Sequence, residues 1–428
     1  MYHRKSSVPS LLLGMALALA GFCILGWVLY QIPQINEKVA WRVEYALINV
    51  KSWFNPVEAM PTALPTPLES TTLAVVDAAT PTPPAATPTA EFTATPTPEL
   101  SPTPTLTPTA VPEAVKLEPP TWEKEDLNAC GPATLSMYLR FYGWKGDQKT
   151  ISDEIKPIRA DRNVNVEELM FYARNRSGWL LSDYRVGGTT ETLKRFIAAG
   201  IPIMVESGFK VEKTFWANDD RWVGHYLLLT GYDDATQTFI TQDSEKGANI
   251  RQTYDQLDRD WQIFNRVYIY VYPPEQEQTV REILGEDWDA DVNRQNALET
   301  AQRETEEDPK NGFAWFNLGS NLTYFERYTE AAAAYDEARK LNLPQRMLRY
   351  QFGPFIAYFH TNRIDDLSTL ADYALQITAN AEEALLWKGW ALYRQGKRDE
   401  AIASFQKALE ARPGYGDAQY ALNWVMNN

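Results

Sequence analysis

A long stretch rich in proline and threonine, residues 56–117, separates the N-terminal segment from a C-terminal part of ordinary globular composition. Proline and threonine alternate along it, as in the run TPTPP at residues 80–84. Such a composition cannot bury enough apolar surface to fold, and it favours extended polyproline II. We therefore predict a disordered linker over residues 56–117, with the folded regions on its C-terminal side.

The segment before the linker contains an uncharged and mostly apolar run, residues 8–30. About 20 such residues span a bilayer as a helix. Arg4 and Lys5 precede the run, and this charge bias favours a cytoplasmic N-terminus. We predict a single N-terminal transmembrane helix, with residues 1–31 forming a cytoplasmic tip and anchor. The protein is then expected at the cell membrane, with both folded regions extracytoplasmic.

Two alternatives to the membrane anchor remain open. A cleaved signal peptide would end near the small-residue stretch at residues 18–20, although the apolar run continues past it. A lipoprotein site would use Cys23, but the bulky Phe22 stands where a small residue is needed.

Apolar residues recur at helical spacing between the apolar run and the linker. We predict a short juxtamembrane helix within residues 32–55, resting on the membrane or on a second copy of itself. A plain spacer is the alternative.

Charge and residue counts exclude several classes of function. The formal net charge of −15 argues against nucleic acid as a partner, because phosphate binding needs a basic face. The sequence has two cysteines, Cys23 and Cys130, and three histidines. These counts exclude an internal disulfide framework and a zinc site of the usual Cys/His-rich spacing. We expect no cofactor and no metal.

Cys130 lies at the predicted start of a helix. Pro132 suits a first helical turn, apolar residues recur at helical spacing from Leu135 onwards, and Gly143 ends the run. Exposed N–H groups and the helix dipole at such a position stabilise a thiolate, which is the nucleophilic form of cysteine. On its position alone, Cys130 is equally well explained as a buried structural cysteine.

A predicted β-hairpin brings a histidine and an aspartate together. The strand that follows His225 and the strand that ends in Asp243 flank a turn-rich segment, which we centre on Asp234. In that register His225 faces Asp243, at a Cβ separation of about 5 Å that suits a carboxylate–imidazole hydrogen bond. Taken alone, His225 is also explained as a strand-end histidine without a chemical role. With Cys130 it predicts a Cys–His–Asp catalytic site.

At these residues the sequence resembles the bacteriocin-processing (double-glycine leader) cysteine peptidases of the papain-like superfamily. The resemblance rests on Cys130 in Asn-x-Cys-Gly-Pro-Ala, on His225 in Gly-His-Tyr and on Asp243 in Gln-Asp-Ser. It implies an α+β papain-like cysteine peptidase-type domain over residues 118–274, with these three residues as the catalytic triad.

One position departs from that family. Its members usually place a glutamine five or six residues before the cysteine, where the side-chain amide helps to form the oxyanion hole. Here those positions hold Glu125 and Lys124. The resemblance implies that these two side chains border the oxyanion, where a carboxylate would oppose the developing charge and an ammonium would support it.

Residues 275–428 are predicted to form a tetratricopeptide-repeat domain that is helical throughout from about residue 291, after a polar joining stretch. The internal period near 34 residues is typical of these repeats. Small and aromatic residues recur at the expected offsets around Gly319 and Gly389, with a degenerate repeat around Ala374 between them. We predict an all-α solenoid with a capping helix at each end, whose groove binds a protein partner. A purely structural cap on the preceding domain is the alternative.

These features together predict a membrane-anchored extracytoplasmic cysteine peptidase that acts on a peptide or protein substrate and uses its repeats for protein or peptide binding. A non-catalytic adaptor that keeps the peptidase-like fold is the alternative, and the departure at Lys124 and Glu125 favours it. A third possibility is acyl or amide transfer through the same thioester chemistry.

Overall fold

The computed structural model describes a few positions between residues 15 and 50, together with residues 60–64, 111–156, 164–210 and 222–428 apart from residue 342. Within this described part of the chain, no helix has the length and apolar character needed to cross a bilayer. The predicted transmembrane segment and juxtamembrane helix lie mostly outside the described residues, so both remain predictions.

A single antiparallel sheet organises the region after the linker. Its strands, among the described residues, are β1 (Ala114–Lys116), β2 (Leu181–Arg185), β3 (Ile203–Lys210), β4 (Trp222–Asp233), β5 (Thr238–Asp243), β6 (Gly247–Thr253) and β7 (Tyr268–Tyr272). They pair in the order β2-β7-β3-β4-β5-β6, and β1 pairs with the end of β4. The central strands are rich in aromatic and aliphatic residues, and β7 is buried along its whole length.

Helices pack against this sheet, and the first of them carries Cys130. They are α1 (Cys130–Phe141), α2 (Gln148–Ile155), α3 (Val166–Arg176), α4 (Thr190–Ala198) and α5 (Tyr254–Gln262). The predicted helix at Cys130 is confirmed, including its end before Gly143, where φ is 88°. Tyr138 anchors α1, because its hydroxyl bonds to the carbonyl of Pro202 and accepts the N–H of Val271. Cys130 is therefore held at a fixed place beside the sheet.

The folded region begins earlier than residue 118. Strand β1 lies within the stretch predicted as linker, and its flanks form two backbone hydrogen bonds of 2.8 Å, Leu117 N–H to Thr230 O and Asp234 N–H to Glu113 O. Met60, also in the predicted linker, is buried against the helical region. Composition does not reveal β1, because a three-residue strand is held mainly by its backbone.

The remainder of the chain is helical, as predicted from about residue 291, and α6 (Glu277–Leu284) adds a helix in the stretch predicted as a polar joining segment. Its α-helices within the described residues are α6 (Glu277–Leu284), α7 (Ala290–Glu307), α8 (Gly312–Tyr324), α9 (Tyr328–Lys340), α10 (Gly353–His360), α11 (Ile364–Ile377), α12 (Glu382–Arg394), α13 (Arg398–Ala411) and α14 (Gly416–Asn427). Gly319 and Gly389 are needed for close helix packing. A Cβ atom at these two positions would lie 2.7 Å from Tyr335 and 2.3 Å from Phe405.

One hydrophobic cluster extends across the boundary between the sheet region and the helical region. Trp222 and Phe264 from the sheet region belong to the same buried cluster as the aromatic residues of the repeats. Tyr350, just after the short 3-10 helix Gln345–Arg349, packs edge-on against Trp222 and Phe264, with ring centroids 5.6 and 5.8 Å apart. Arg346 also donates to the carbonyl of Trp222 at 3.2 Å. The repeats therefore support the strand that carries His225.

Candidate active site

The loop before α1 fixes the position of the Cys130 thiol. Cys130 is the first helical residue, and Asn128 adopts a left-handed conformation with φ of 52°, which turns the chain sharply into the helix. The buried Lys156 ammonium donates to the carbonyls of Leu127 at 2.7 Å and Asn128 at 3.1 Å. These bonds hold the loop while the thiol itself stays partly exposed.

The first turn of α1 lies directly against β4. A Cβ atom on Gly131 would lie 3.3 Å from the ring of Tyr226, so a larger residue would push the helix from the strand. Thr134 reinforces this contact by donating to the carbonyl of Tyr226 at 3.2 Å. Because Tyr226 follows His225 on the strand, this packing sets the distance between thiol and imidazole.

The structure brings His225 and Asp243 into a buried hydrogen bond. His225 Nε2 lies 2.9 Å from Asp243 Oδ1, and the residues are only 4% and 2% exposed. The same oxygen accepts the backbone N–H groups of Glu245 at 2.9 Å and Lys246 at 3.0 Å. Burial opposes ionisation, but the hydrogen bond and charge of His225, with these two amides, lower the pKa of Asp243 to about 2. Asp243 is thus an anion that orients the imidazole.

The register of the hairpin differs from the prediction by two residues. Asp243 lies opposite Leu227 rather than His225. A β-bulge at Thr230 and a turn at residues 234–237, centred later than predicted, account for the difference. Because the shift is even, His225 and Asp243 remain on one face as diagonal neighbours, within reach of each other's side chains.

The other nitrogen of His225 faces Cys130 and Glu125. The Cys130 sulfur, a ring nitrogen of His225 and a carboxylate oxygen of Glu125 all lie within 4.8 Å of one another. Burial alone would lower the pKa of His225. The hydrogen bonds with Asp243 and Cys130, together with the charges of Cys130 and Glu125, instead raise this pKa well above its usual range. A histidine that binds a proton this readily can serve as the acid–base partner of a cysteine nucleophile.

Of the two residues predicted to border the oxyanion, only Glu125 lies at the site. Its Oε2 is 3.8 Å from His225 Nδ1 and accepts a 2.7 Å hydrogen bond from Ser244 Oγ. Burial raises the pKa of Glu125, and the charge of His225 and the bond from Ser244 offset this only in part. Lys124 is half exposed and bonds to the carboxylate of Glu245 at 2.5 Å and to its carbonyl at 2.7 Å. This ion pair holds the Lys124 ammonium outside the site.

The segment that delivers Glu125 is itself tied down. Trp122 Nε1 donates to the carbonyl of Asp243 at 2.8 Å. The backbone N–H of Glu125 donates to the backbone carbonyl of Ser244 at 3.1 Å. The carboxylate of Glu123, in the same segment, accepts a 2.7 Å hydrogen bond from Ser136 Oγ on α1. Glu125 is therefore placed by contacts to both the sheet and α1.

Four residues near the site escaped the sequence analysis as functional candidates: Ser244, Lys156, Phe209 and Tyr350. The Phe209 ring lies edge-on to His225, with centroids 5.6 Å apart. Burial, and to a smaller extent the charge of Cys130, raises the pKa of Tyr350. Only Ser244 had a sequence signal, because it directly follows Asp243.

Two family models match regions of this chain. The model of the Peptidase C39 like family matches residues 111–273. The sheet region is a C39-like domain, similar to the Peptidase C39 like family. The tetratricopeptide repeat model matches residues 382–415, which lie in α12 and α13 and the loop that follows. The family resemblance seen in the sequence is therefore confirmed for both the C39-like domain and the repeats.

Solved structures similar to this chain fall into the same two groups. A putative C39-like peptidase from Bacillus anthracis is 18% identical, with a TM-score of 0.30, over 37% of this chain and 98% of that chain. The peptidase domain of Streptococcus ComA is 15% identical, with a TM-score of 0.28, over the same shares. YrrB, described as a TPR protein with an unusual peptide-binding site, is 20% identical, with a TM-score of 0.29, over 35% of this chain and 73% of that chain. No curated protein matches the chain.

Proposed function

We propose that this chain is a cysteine peptidase that cleaves peptide bonds with Cys130, His225 and Asp243. The observation that carries the proposal is the relay from thiol to imidazole to carboxylate. The Cys130 sulfur and a ring nitrogen of His225 lie within 4.8 Å of each other, and His225 Nε2 lies 2.9 Å from a buried and ionised Asp243. This is the arrangement that nucleophilic catalysis by cysteine requires.

In the acylation step, the Cys130 thiolate attacks the scissile carbonyl carbon and the carbonyl electron pair moves onto oxygen. The imidazolium of His225 then gives its Nδ1 proton to the leaving amine as the C–N bond breaks. In deacylation, neutral His225 takes a proton from a water molecule whose oxygen attacks the thioester. Collapse of that intermediate releases the acid and restores the thiolate. Asp243 stays ionised and fixes the tautomer through Nε2–H.

The oxyanion needs donors, and the start of α1 supplies one. The first N–H groups of a helix have no intrahelical acceptor, so the N–H of Cys130 can donate to the oxyanion. The helix dipole acts in the same direction. An ionised Glu125 beside this position opposes the charge, which is why a non-catalytic adaptor is the second candidate function.

The most direct test of turnover is digestion of a peptide library by the purified full chain. Wild type is expected to generate new peptide termini with a consistent sequence preference around the cleaved bond. The Cys130→Ala variant should generate none, because the nucleophile is gone. New termini at equal rates with both proteins would come from a contaminating protease and would contradict the proposal.

Replacing Glu125 with glutamine is expected to raise turnover. The amide removes a negative charge beside the oxyanion and adds a donor, and one oxyanion donor is worth roughly 10²–10³-fold in rate. We expect a gain of at least about tenfold in kcat on a peptide substrate found in the digestion. Glu191→Gln is the matched control, because it removes an exposed carboxylate of the same domain that pairs with Lys194 and does not contact His225. A lower kcat in Glu125→Gln would mean that the carboxylate itself is required.

We also propose that the repeats bind a peptide or protein partner, and that the apolar run at residues 8–30 anchors the chain with both domains outside the cytoplasm. The support is the repeat match together with the order of charge, apolar run and linker in the sequence. Protease added to intact cells should then release a fragment that begins in residues 56–117. Repeats that stay protected until the membrane is permeabilised would contradict this topology.

A further inference from the structure

The site contains a ligand set that catalysis alone does not need. Cys130 offers a thiolate, His225 an imidazole nitrogen and Glu125 a carboxylate oxygen, and the three atoms lie within 4.8 Å of one another. These are the three ligand types that bind Zn²⁺ in proteins. With bonds of about 2.0–2.3 Å, a tetrahedral zinc ion holds its ligand atoms roughly 3.3–3.6 Å apart. The 3.8 Å between His225 Nδ1 and Glu125 Oε2 needs only a small side-chain adjustment.

A second, independent feature is the set of hydrogen bonds behind these ligands. A histidine that binds zinc almost always donates its other N–H to a carboxylate or carbonyl, and ligating carboxylates are themselves hydrogen-bonded. Here His225 Nε2 is bonded to Asp243, and Glu125 accepts from Ser244. Both partners are buried, and Asp243 is fixed by two backbone amides. The site therefore directs His225 Nδ1 and the Glu125 carboxylate toward the thiol before any ion arrives.

We propose that Zn²⁺ binds reversibly to Cys130, His225 and Glu125 and switches the peptidase off. Binding releases the Nδ1 proton of His225 to solvent and places the ion between the thiolate and the imidazole. The nucleophile and the acid for the leaving group are then both occupied. A fourth coordination position remains for water. The binding site stands on geometry alone, whereas its inhibitory consequence rests on the proposed peptidase function.

Glu125 supplies the third metal ligand, which a cysteine–histidine pair alone would lack. A cysteine and a histidine supply two ligands, and an amide in place of Glu125 would be a poor third. The low cysteine and histidine counts excluded a Cys/His-rich zinc site, but the set proposed here needs only one of each. The family resemblance already placed these three residues at one site, but the short separations of their ligand atoms follow only from the packing in the structure.

Co²⁺ is a spectroscopic substitute for Zn²⁺ and tests the site directly. Titrating the metal-free full chain with Co²⁺ should produce a thiolate-to-cobalt charge-transfer band that saturates at one equivalent and disappears when Zn²⁺ is added. Asp243→Asn should weaken binding by roughly 10–100-fold, as loss of an outer partner does. Glu125→Gln should weaken it further, since a direct ligand is lost. Glu191→Gln, at an exposed carboxylate that pairs with Lys194, should bind like wild type.

Protection of Cys130 gives a second readout that does not depend on turnover. Zn²⁺ should slow iodoacetamide labelling of wild-type Cys130, and EDTA should restore it. Each variant is compared with its own rate in EDTA. Absence of a stoichiometric cobalt band, or equal affinity in wild type and Glu125→Gln, would overturn the proposal. A cobalt band in a chain that cleaves no peptide would leave the site standing and refute only the peptidase function.

Discussion

Replacing His225 with alanine is expected to lower peptidase turnover by roughly 10²–10⁴-fold, which is the range that one acid–base group typically contributes. The reason is that one imidazole serves both steps, protonating the leaving amine and then activating water. A ring nitrogen of this imidazole also lies within 4.8 Å of the Cys130 sulfur. Turnover is measured as kcat on a peptide identified by library digestion, with the fold checked by circular dichroism.

His360→Ala is the matched control for that experiment. His360 stacks on Tyr328 in the repeat region, with ring centroids 4.1 Å apart, and takes no part in the site. Its removal should leave kcat unchanged. A folded His225→Ala variant with kcat within tenfold of wild type would exclude His225 as the acid–base group.

Replacing Asp243 with alanine is expected to affect both activity and stability. The change leaves the buried His225 charge without its partner, and breaking a buried pair in this way costs about 3–5 kcal/mol in the free energy of unfolding. It also frees the imidazole to rotate, so turnover should fall by about 10²-fold or more. The Asp243 side chain is 2% exposed, so water cannot replace it without rearrangement.

Asp243→Asn separates orientation from charge in the same experiment. Asparagine keeps an oxygen that can accept the Nε2–H of His225, but it lacks the negative charge. Compared with Asp243→Ala, we expect this variant to have a higher free energy of unfolding in a urea titration and a higher kcat, both still below wild type. If Asp243→Ala keeps wild-type kcat and stability, the carboxylate does not orient His225 and the proposed triad is wrong.

Local signals in the sequence were sufficient for the helix start and the repeats. Pro132 and Gly143 bracket a helix whose spacing is readable without tertiary knowledge, and α1 follows it closely. The repeat period was visible because each helix pair needs small residues at fixed places, such as Gly319 against Tyr335.

Features that depend on tertiary contacts were not predictable. Neither the later centre of the turn nor the bulge at Thr230 has a local signature, so the hairpin register was wrong by two residues even though His225 and Asp243 still met. The Lys124 ion pair joins residues 121 positions apart in sequence. Tyr350 reaches the C39-like domain from the repeats, and no pattern in its neighbourhood indicates that contact.

Selective alkylation of Cys130 tests the central claim, that this thiol is an activated nucleophile paired with His225. Iodoacetamide is added near neutral pH in the presence of EDTA, and the rate at Cys130 is followed by mass spectrometry, which separates it from Cys23. We expect Cys130 to be labelled faster than a free model thiol in the wild-type chain, and clearly more slowly in the His225→Ala variant. Labelling no faster than the model thiol, and unchanged by His225→Ala, would contradict the account and favour a non-catalytic adaptor.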